Sequence, residues 1–99
     1  MLTFFERILQ VFEDILREDP LYEVVSTSHG YTLLGWNSYG EEWYSAEVLQ
    51  TPDDMLDAFL RVYSNYWEYQ FTKGARELTA YEEKEIDIQS ERLRKKCLL

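Results

Sequence analysis

The class of fold follows from residues 21–49, which read LYEVVSTSHGYTLLGWNSYGEEWYSAEVL. β-Branched and aromatic residues interrupted by glycine are typical of short strands joined by turns. They predict three strands, over residues 21–28, 31–36 and 42–49. The first connection, His29-Gly30, suits a two-residue hairpin turn in which glycine supplies a positive φ. Because no connection is long enough for a parallel crossover, the strands are predicted to form an antiparallel meander.

Side-chain alternation in the third predicted strand assigns residues to the two faces of the sheet. We expect Tyr44, Ala46 and Val48 on one face, and Trp43, Ser45 and Glu47 on the other. We expect four residues of the sheet to supply its part of the core, namely Leu33, Leu34, Tyr44 and Val48. One face is therefore predicted to be core, and the other is predicted to be at least partly exposed to water.

Helical patterns flank the predicted sheet on both sides. Thr3 and Glu6 form a capping-box pattern, and an apolar residue then recurs at helical spacing until Pro20 ends the segment at Asp19. The sequence TPDD at residues 51–54 combines a capping Thr, a Pro at the first helical position and two carboxylates, and it predicts a second helix that Gly74 ends. The apolar arc of this second helix is wide, which places it at the centre of the fold.

A second capping box, formed by Thr79 and Glu82, predicts a last helix. Its acidic residues come first and its basic residues, at 92–96, come last, in the order that the helix dipole favours. The apolar stripe of this helix is thin, and we expect fraying from about Leu93 onward. The complete prediction is one α+β domain over residues 1–99, in the order αβββαα, with a compact core at 1–78 and a C-terminal helix at 79–99. The first two helices would cover one face of the sheet, and the third would flank it or close the other face.

Charge is distributed unevenly along the chain. Residues 1–72 contain thirteen acidic residues and three arginines, a net charge of −10, whereas residues 73–99 carry a net charge of +1. A strongly negative domain repels nucleic acid and anionic membranes and attracts basic partners. Capping explains Asp53 and Asp54, so the acidic residues of interest are those of the sheet. We expect a protein partner of basic character, no direct binding of nucleic acid and no membrane association.

Composition limits the class of protein further. Hydrophobic residues make up 45% of the 99 residues, and sixteen residues are aromatic, which separates the chain from disordered proteins. The single cysteine, Cys97, rules out an intramolecular disulfide. Charged residues interrupt the apolar N-terminal stretch, so neither a signal peptide nor a transmembrane helix is predicted. We expect a cytoplasmic location.

Residues that could carry chemistry are few. The only histidine, His29, is predicted to be a solvated turn residue, and Cys97 lies near the end of the chain with no predicted pocket. Asp53, Asp54 and Asp57 could form a carboxylate metal site, but helix capping accounts for the first two. No phosphate-binding loop or nucleophile motif occurs. We therefore expect no catalytic residue, no metal and no cofactor.

The aromatic residues of the meander are the strongest candidates for a binding site. Tyr31, Trp36, Tyr39 and Trp43 lie among Glu41, Glu42 and Glu47. Tyr and Trp frequently anchor protein interfaces. The alternative is a second packing layer beneath the last helix. Stacking of nucleic-acid bases is disfavoured because stacking platforms accompany a basic groove.

Three sequence segments resemble those of short acidic proteins found on mobile elements of Gram-positive gut bacteria. They are GYTLLGWNSYGEEW at 30–43, TPDDMLDAFL at 51–60 and RELTAYEEKEI at 76–86. The resemblance implies an accessory role, and accessory genes on mobile DNA include toxin antidotes and anti-restriction proteins. It implies no site residue.

These features together predict a non-catalytic, acidic protein-interaction module that captures a basic protein. Trp36, Tyr39 and Trp43 are the predicted anchors, and Glu41, Glu42 and Glu47 are the charged surround. One alternative is a structural homodimer that uses the same aromatic face. A small enzyme that uses His29 or a carboxylate pair is the other alternative, and it would require a pocket with convergent polar groups.

Overall fold

The computed structural model describes residues 4–19, 22–28, 30–37 and 39–98. The elements in chain order are α1 (Phe5–Val11), α2 (Glu13–Glu18), β1 (Tyr22–Thr27), β2 (Gly30–Asn37), β3 (Glu42–Leu49), α3 (Pro52–Thr72) and α4 (Ala80–Cys97). The three strands form one antiparallel sheet in the order β1-β2-β3. The predicted α+β class and the meander are therefore confirmed.

The first predicted helix is divided into α1 and α2 at Phe12. This residue has φ −96° and ψ 4°, yet its N–H still bonds to the Ile8 carbonyl at 3.0 Å. The Phe12 ring is fully buried and meets Phe59 of α3 edge to face, with 5.4 Å between the ring centroids. The interruption thus coincides with the residue that anchors this segment to α3. The predicted cap, Thr3, lies outside the described residues.

The first turn is displaced by one residue from its predicted position. Thr27 pairs with Gly30, so the two-residue connection is Ser28-His29, and Gly30 is the first residue of β2. Gly30 has φ 114°, which is the positive φ predicted for this glycine. His29 itself lies outside the described residues.

A bulge in β3 overturns the predicted assignment of faces. Leu33 pairs with Glu47 and Leu34 with Ser45, so the register passes over Ala46. An extra residue reverses the alternation beyond it. Trp43 and Val48 consequently share one face, while Glu47 lies on the opposite face, where it is ion-paired to Arg61 of α3. We call the face toward the helices the inner face and the other the outer face.

The core lies between the inner face and α3. Leu33 and Leu49 supply the buried residues of the sheet, and Phe59 lies fully buried on α3. The other large, fully buried side chains are Ile8, Phe12, Met55 and Cys97. The central position predicted for α3 agrees with the buried arc along it, which is Met55, Leu56, Ala58, Phe59, Leu60, Val62 and Tyr63. Of the four residues expected on the core side of the sheet, only Leu33 is buried. Leu34 lies on the outer face because it follows Leu33 directly on β2, and the bulge in β3 places Val48 on that face as well. Tyr44 lies on the inner face but is 52% exposed.

α4 packs on α3 and α1 and leaves the outer face of the sheet open. Arg7 of α1 donates from Nε to the Lys96 carbonyl at 2.8 Å, and Arg94 lies 3.7 Å from Asp57 of α3. The helix continues past Leu93 to Cys97, whose side chain is fully buried. Closure of the outer face by the last helix is therefore wrong. Contacts with two helices bury the thin apolar stripe that the sequence suggested would fray.

The predicted capping box is present at the start of α4 and stabilises it. Glu82 N–H donates to Thr79 Oγ1 at 3.1 Å, and Thr79 N–H donates to Glu82 Oε1 at 2.9 Å. Arg76 adds two bonds to the Glu82 carboxylate, at 2.7 and 2.9 Å, and donates to the Phe71 carbonyl of α3 at 2.9 Å. Hydrogen bonds from Arg76 and from the Thr79 backbone lower the pKa of Glu82 from 4.5 to about 2.

We expect this carboxylate to make stability depend on pH. Because its folded pKa is lowered, its contribution is complete above pH 4.5 and is lost as the pH falls toward about 2. Urea unfolding at pH 7 should show Glu82→Gln to be less stable than the wild type, and the difference should shrink below pH 4.5. Glu83→Gln, an exposed change on the same turn, is the control. A difference between Glu82→Gln and wild type that stays constant down to pH 2 would contradict this assignment.

Candidate interaction site

The outer face of the sheet presents an apolar surface to solvent. Pairing across the strands places five apolar residues on it, namely Val25, Leu34, Trp36, Trp43 and Val48. Val25 is 36% exposed, Trp43 44% and Val48 52%, while Leu34 and Trp36 are partly buried. Isolated exposed apolar residues are ordinary, but a contiguous group of this kind marks an interaction site in many proteins.

Trp36 and Trp43 form the centre of this surface. They are directly opposite each other on β2 and β3, and their rings meet edge to face with centroids 5.2 Å apart and an interplanar angle of 65°. Each ring restricts the other, so little side-chain entropy remains to be lost when a partner covers them. The structure thus brings together two of the three predicted aromatic anchors.

The third predicted anchor, Tyr39, lies at the tip of the β2–β3 turn and is fully exposed. Asn37 Oδ1 organises this turn by accepting hydrogen bonds from the N–H groups of Tyr39, at 3.1 Å, and Gly40, at 3.3 Å. Glu41 adopts a left-handed φ of 50° in the same turn, and Glu42 begins β3. Tyr39 and Glu41 therefore lie in the turn next to the pair of tryptophans. Glu42 pairs with Asn37, one step along the strands from the tryptophans, so it is on the inner face and is not part of their charged surround.

Two further residues that the sequence suggested for the binding site lie on the inner face. Glu47 is on the inner face and bonds to Arg61, so it is not part of the charged surround of Trp36 and Trp43. Tyr31 is also on the inner face, where its ring packs on Phe5 with centroids 4.9 Å apart. The bulge separates Glu47 from the tryptophans, and nothing in the local sequence marks Ala46 as its position. Glu23, which pairs with Leu34, is an acid of the outer face that sequence reasoning missed.

The stretch of chain that forms the sheet carries acidic residues and no basic ones. Residues 18–60, which include all three strands, contain nine acidic residues and neither lysine nor arginine. Glu23, Glu41 and Glu42 are all exposed. A surface of this kind attracts basic groups from a distance and repels acidic ones.

The residues that the sequence offered for chemistry occupy structural positions. Burial raises the pKa of Cys97, which opposes formation of a nucleophilic thiolate. Thr51 Oγ1 accepts from Asp54 N–H at 3.1 Å, as expected of a helix cap, and Asp57 faces Arg94. Over the ranges that the structure describes, no three His, Cys, Asp or Glu side chains are grouped as metal ligands. Asp53 and Asp54 lie in the first turn of α3, where the helix dipole favours carboxylates.

Within the described ranges, no helix combines the length and the apolar character needed to cross a membrane. Searches for related proteins match no protein-family model, no curated protein and no solved structure.

Proposed function

We propose that this protein is a non-catalytic interaction module that binds a basic protein through the outer face of its sheet. The observation that carries the proposal is the Trp36–Trp43 pair, in which Trp43 is exposed and which shares with Val25 and Val48 a face that no described helix covers. Tryptophan is the residue type most enriched among interface hot spots. The pair would supply the desolvated centre of the contact.

The acidic residues define the chemistry of the partner. Glu23 lies on the outer face itself, Glu41 lies in the turn beside the tryptophans, and Glu42 is exposed next to them on the inner face. Complementary charge accelerates association and excludes like-charged competitors, while the apolar centre slows dissociation. The accessory role suggested by the mobile-element resemblance, as an antidote or anti-restriction protein, is consistent with a module that occupies a basic protein surface.

Affinity capture tests this proposal. The immobilised protein should enrich a basic protein from a native lysate at low salt, and high salt should weaken the capture because it screens exposed charges. Trp36→Ala combined with Trp43→Ala should reduce the captured amount at least tenfold, since loss of one hot spot costs about 2 kcal/mol. Both rings lie outside the buried core, so circular dichroism should show that the variant remains folded.

Tyr81→Ala provides the matched control. Tyr81 is an aromatic residue of α4 that is 73% exposed and distant from the sheet in the chain, so its removal should leave capture unchanged. The proposal fails if nothing is enriched at low salt, or if the double tryptophan variant captures as much as the wild type. Light scattering separates the homodimer alternative, for which the mass would double and the tryptophan variant would be monomeric.

A further inference from the structure

The β1 strand forms a free edge of the sheet. In the described part of the chain it pairs with β2 alone. Thr27 and Gly30 close a two-residue hairpin, and the pair that closes such a loop exchanges its backbone hydrogen bonds. Hydrogen-bonded and non-hydrogen-bonded pairs alternate along two antiparallel strands. Starting from the Thr27–Gly30 pair, Val24 and Ser26 are therefore residues whose N–H and C=O groups point away from β2. Such a row of unused groups is a template for another strand.

β1 has little of the protection that is usual for an edge strand. Proteins block such edges with charged side chains, especially lysine, and with proline or a bulge. The sequence of β1 is YEVVST, in which Glu23 is the single charged residue and neither lysine nor proline occurs, and the bulge of this sheet lies in β3. The edge therefore retains the regular backbone geometry that strand addition requires.

A groove of about 940 Å³ runs beside this edge, between β1 and the helices α1 and α2. This volume is at the upper end of the range for ligand sites, roughly 300–1,000 Å³. Apolar side chains lining it include Leu9, Leu16, Val24 and Tyr31. Glu23 and Trp43 also border the groove, so it is continuous with the outer face.

The charges around the groove select a basic occupant. Glu6, Glu13 and Glu23 all border it. Among the described residues that line it, the one cation is Arg17, which already bonds to Glu13 at 3.0 Å and lies 3.5 Å from Asp14. A second copy of this chain, with its net charge of −9, would be repelled by these acids.

We propose that the β1 edge binds an extended, lysine- or arginine-bearing segment of the partner as a fourth strand. Alternate side chains of that segment would enter the apolar groove, and the others would lie toward the outer face near Glu23. Backbone hydrogen bonds to Val24 and Ser26 hold the segment, and the acidic rim selects its charge. This inference rests on the proposed function, because the segment belongs to the same basic partner.

The test uses a labelled heptapeptide of alternating lysine and valine, with its binding followed by fluorescence polarisation. A fully N-methylated version keeps the side chains and the charge but has no backbone N–H, and a glutamate–valine version reverses the charge. We expect binding of the first peptide and at least tenfold weaker binding of the other two. We also expect the amide hydrogens of Val24 and Ser26 to exchange more slowly in the complex. Absence of binding, equal binding of the N-methylated peptide, or unchanged exchange at both amides would overturn the proposal.

Val24→Pro tests the edge by a change in the protein, where the previous test changes the peptide. Its N–H points away from β2, so proline removes an edge donor without removing a ladder bond. The variant should bind the lysine–valine peptide at least tenfold more weakly than Val24→Ala, which loses the same groove-lining valine side chain but retains the N–H. The comparison with N-methylated peptide is made on the wild type and decides the question even if Val24→Pro does not fold.

The two proposals fail in different ways. If Val24→Pro captures the basic partner normally while the double tryptophan variant does not, the outer-face proposal stands and the edge proposal is overturned. If edge-dependent peptide binding is found while the double tryptophan variant still captures the partner, the edge proposal stands and the outer-face proposal fails. A concentration-dependent dimer that Val24→Pro abolishes would assign the edge to a second copy and overturn the present inference.

Discussion

Phe59→Ala should lower the free energy of unfolding by about 3–5 kcal/mol. Phe59 is fully buried on α3, and its ring meets Phe12 where α1 gives way to α2. Truncation therefore removes the largest fully buried side chain of the central helix and leaves a cavity beneath the first helical segment. A domain of this size is stable by only about 5–15 kcal/mol, so the loss is a large part of the total.

The measurement for Phe59→Ala is urea unfolding followed by circular dichroism, with Tyr69→Ala as its control. Tyr69 is an aromatic residue of the same helix that is 59% exposed, and its removal should change stability by only about 0.5 kcal/mol. Equal unfolding midpoints for the two variants would show that Phe59 does not anchor the core as described.

Gly30→Ala should destabilise the protein by about 1–3 kcal/mol through backbone strain. Gly30 has φ 114°, a conformation that residues with a Cβ rarely adopt. An added Cβ would also lie 2.9 Å from the carbonyl oxygen of Leu49, a backbone atom of the neighbouring strand. Neither the turn nor β3 can relieve this contact without moving Leu49, which is fully buried.

Gly40→Ala is the matched control for Gly30→Ala. The Cβ at Gly40 would approach only the side-chain ends of Asn37 and Glu42, each at 3.1 Å, in an exposed turn where they can move. Thermal unfolding should therefore show a clearly lower midpoint for Gly30→Ala than for Gly40→Ala. If Gly40→Ala is the more damaging change, the geometry assigned to the first hairpin is incorrect.

The residues of the proposed interaction site are only partly predictable from the sequence. Trp36 and Trp43 were identified because they exceed what the core of a small sheet needs, and they do form a pair. The sequence does not assign Val25 and Leu34 to the same surface as the tryptophans. It does assign Glu47 to that surface, although Glu47 bonds to Arg61 of α3. The bulge explains why the faces predicted for Glu47 and Val48 are wrong. One extra residue moves every residue on one side of it to the opposite face of the sheet.

Local interactions determined the parts of this protein that the sequence predicted correctly. The caps of α3 and α4 involve partners three residues apart, and the strand pattern and the acidic stretch are likewise readable along the chain. Only the tertiary structure decided the break at Phe12, the bulge in β3 and the position of α4 on α3 and α1. Each of these depends on packing between residues far apart in sequence, which periodicity does not encode. That packing leaves the outer face of the sheet and the β1 edge open, and these are the two surfaces we assign to binding.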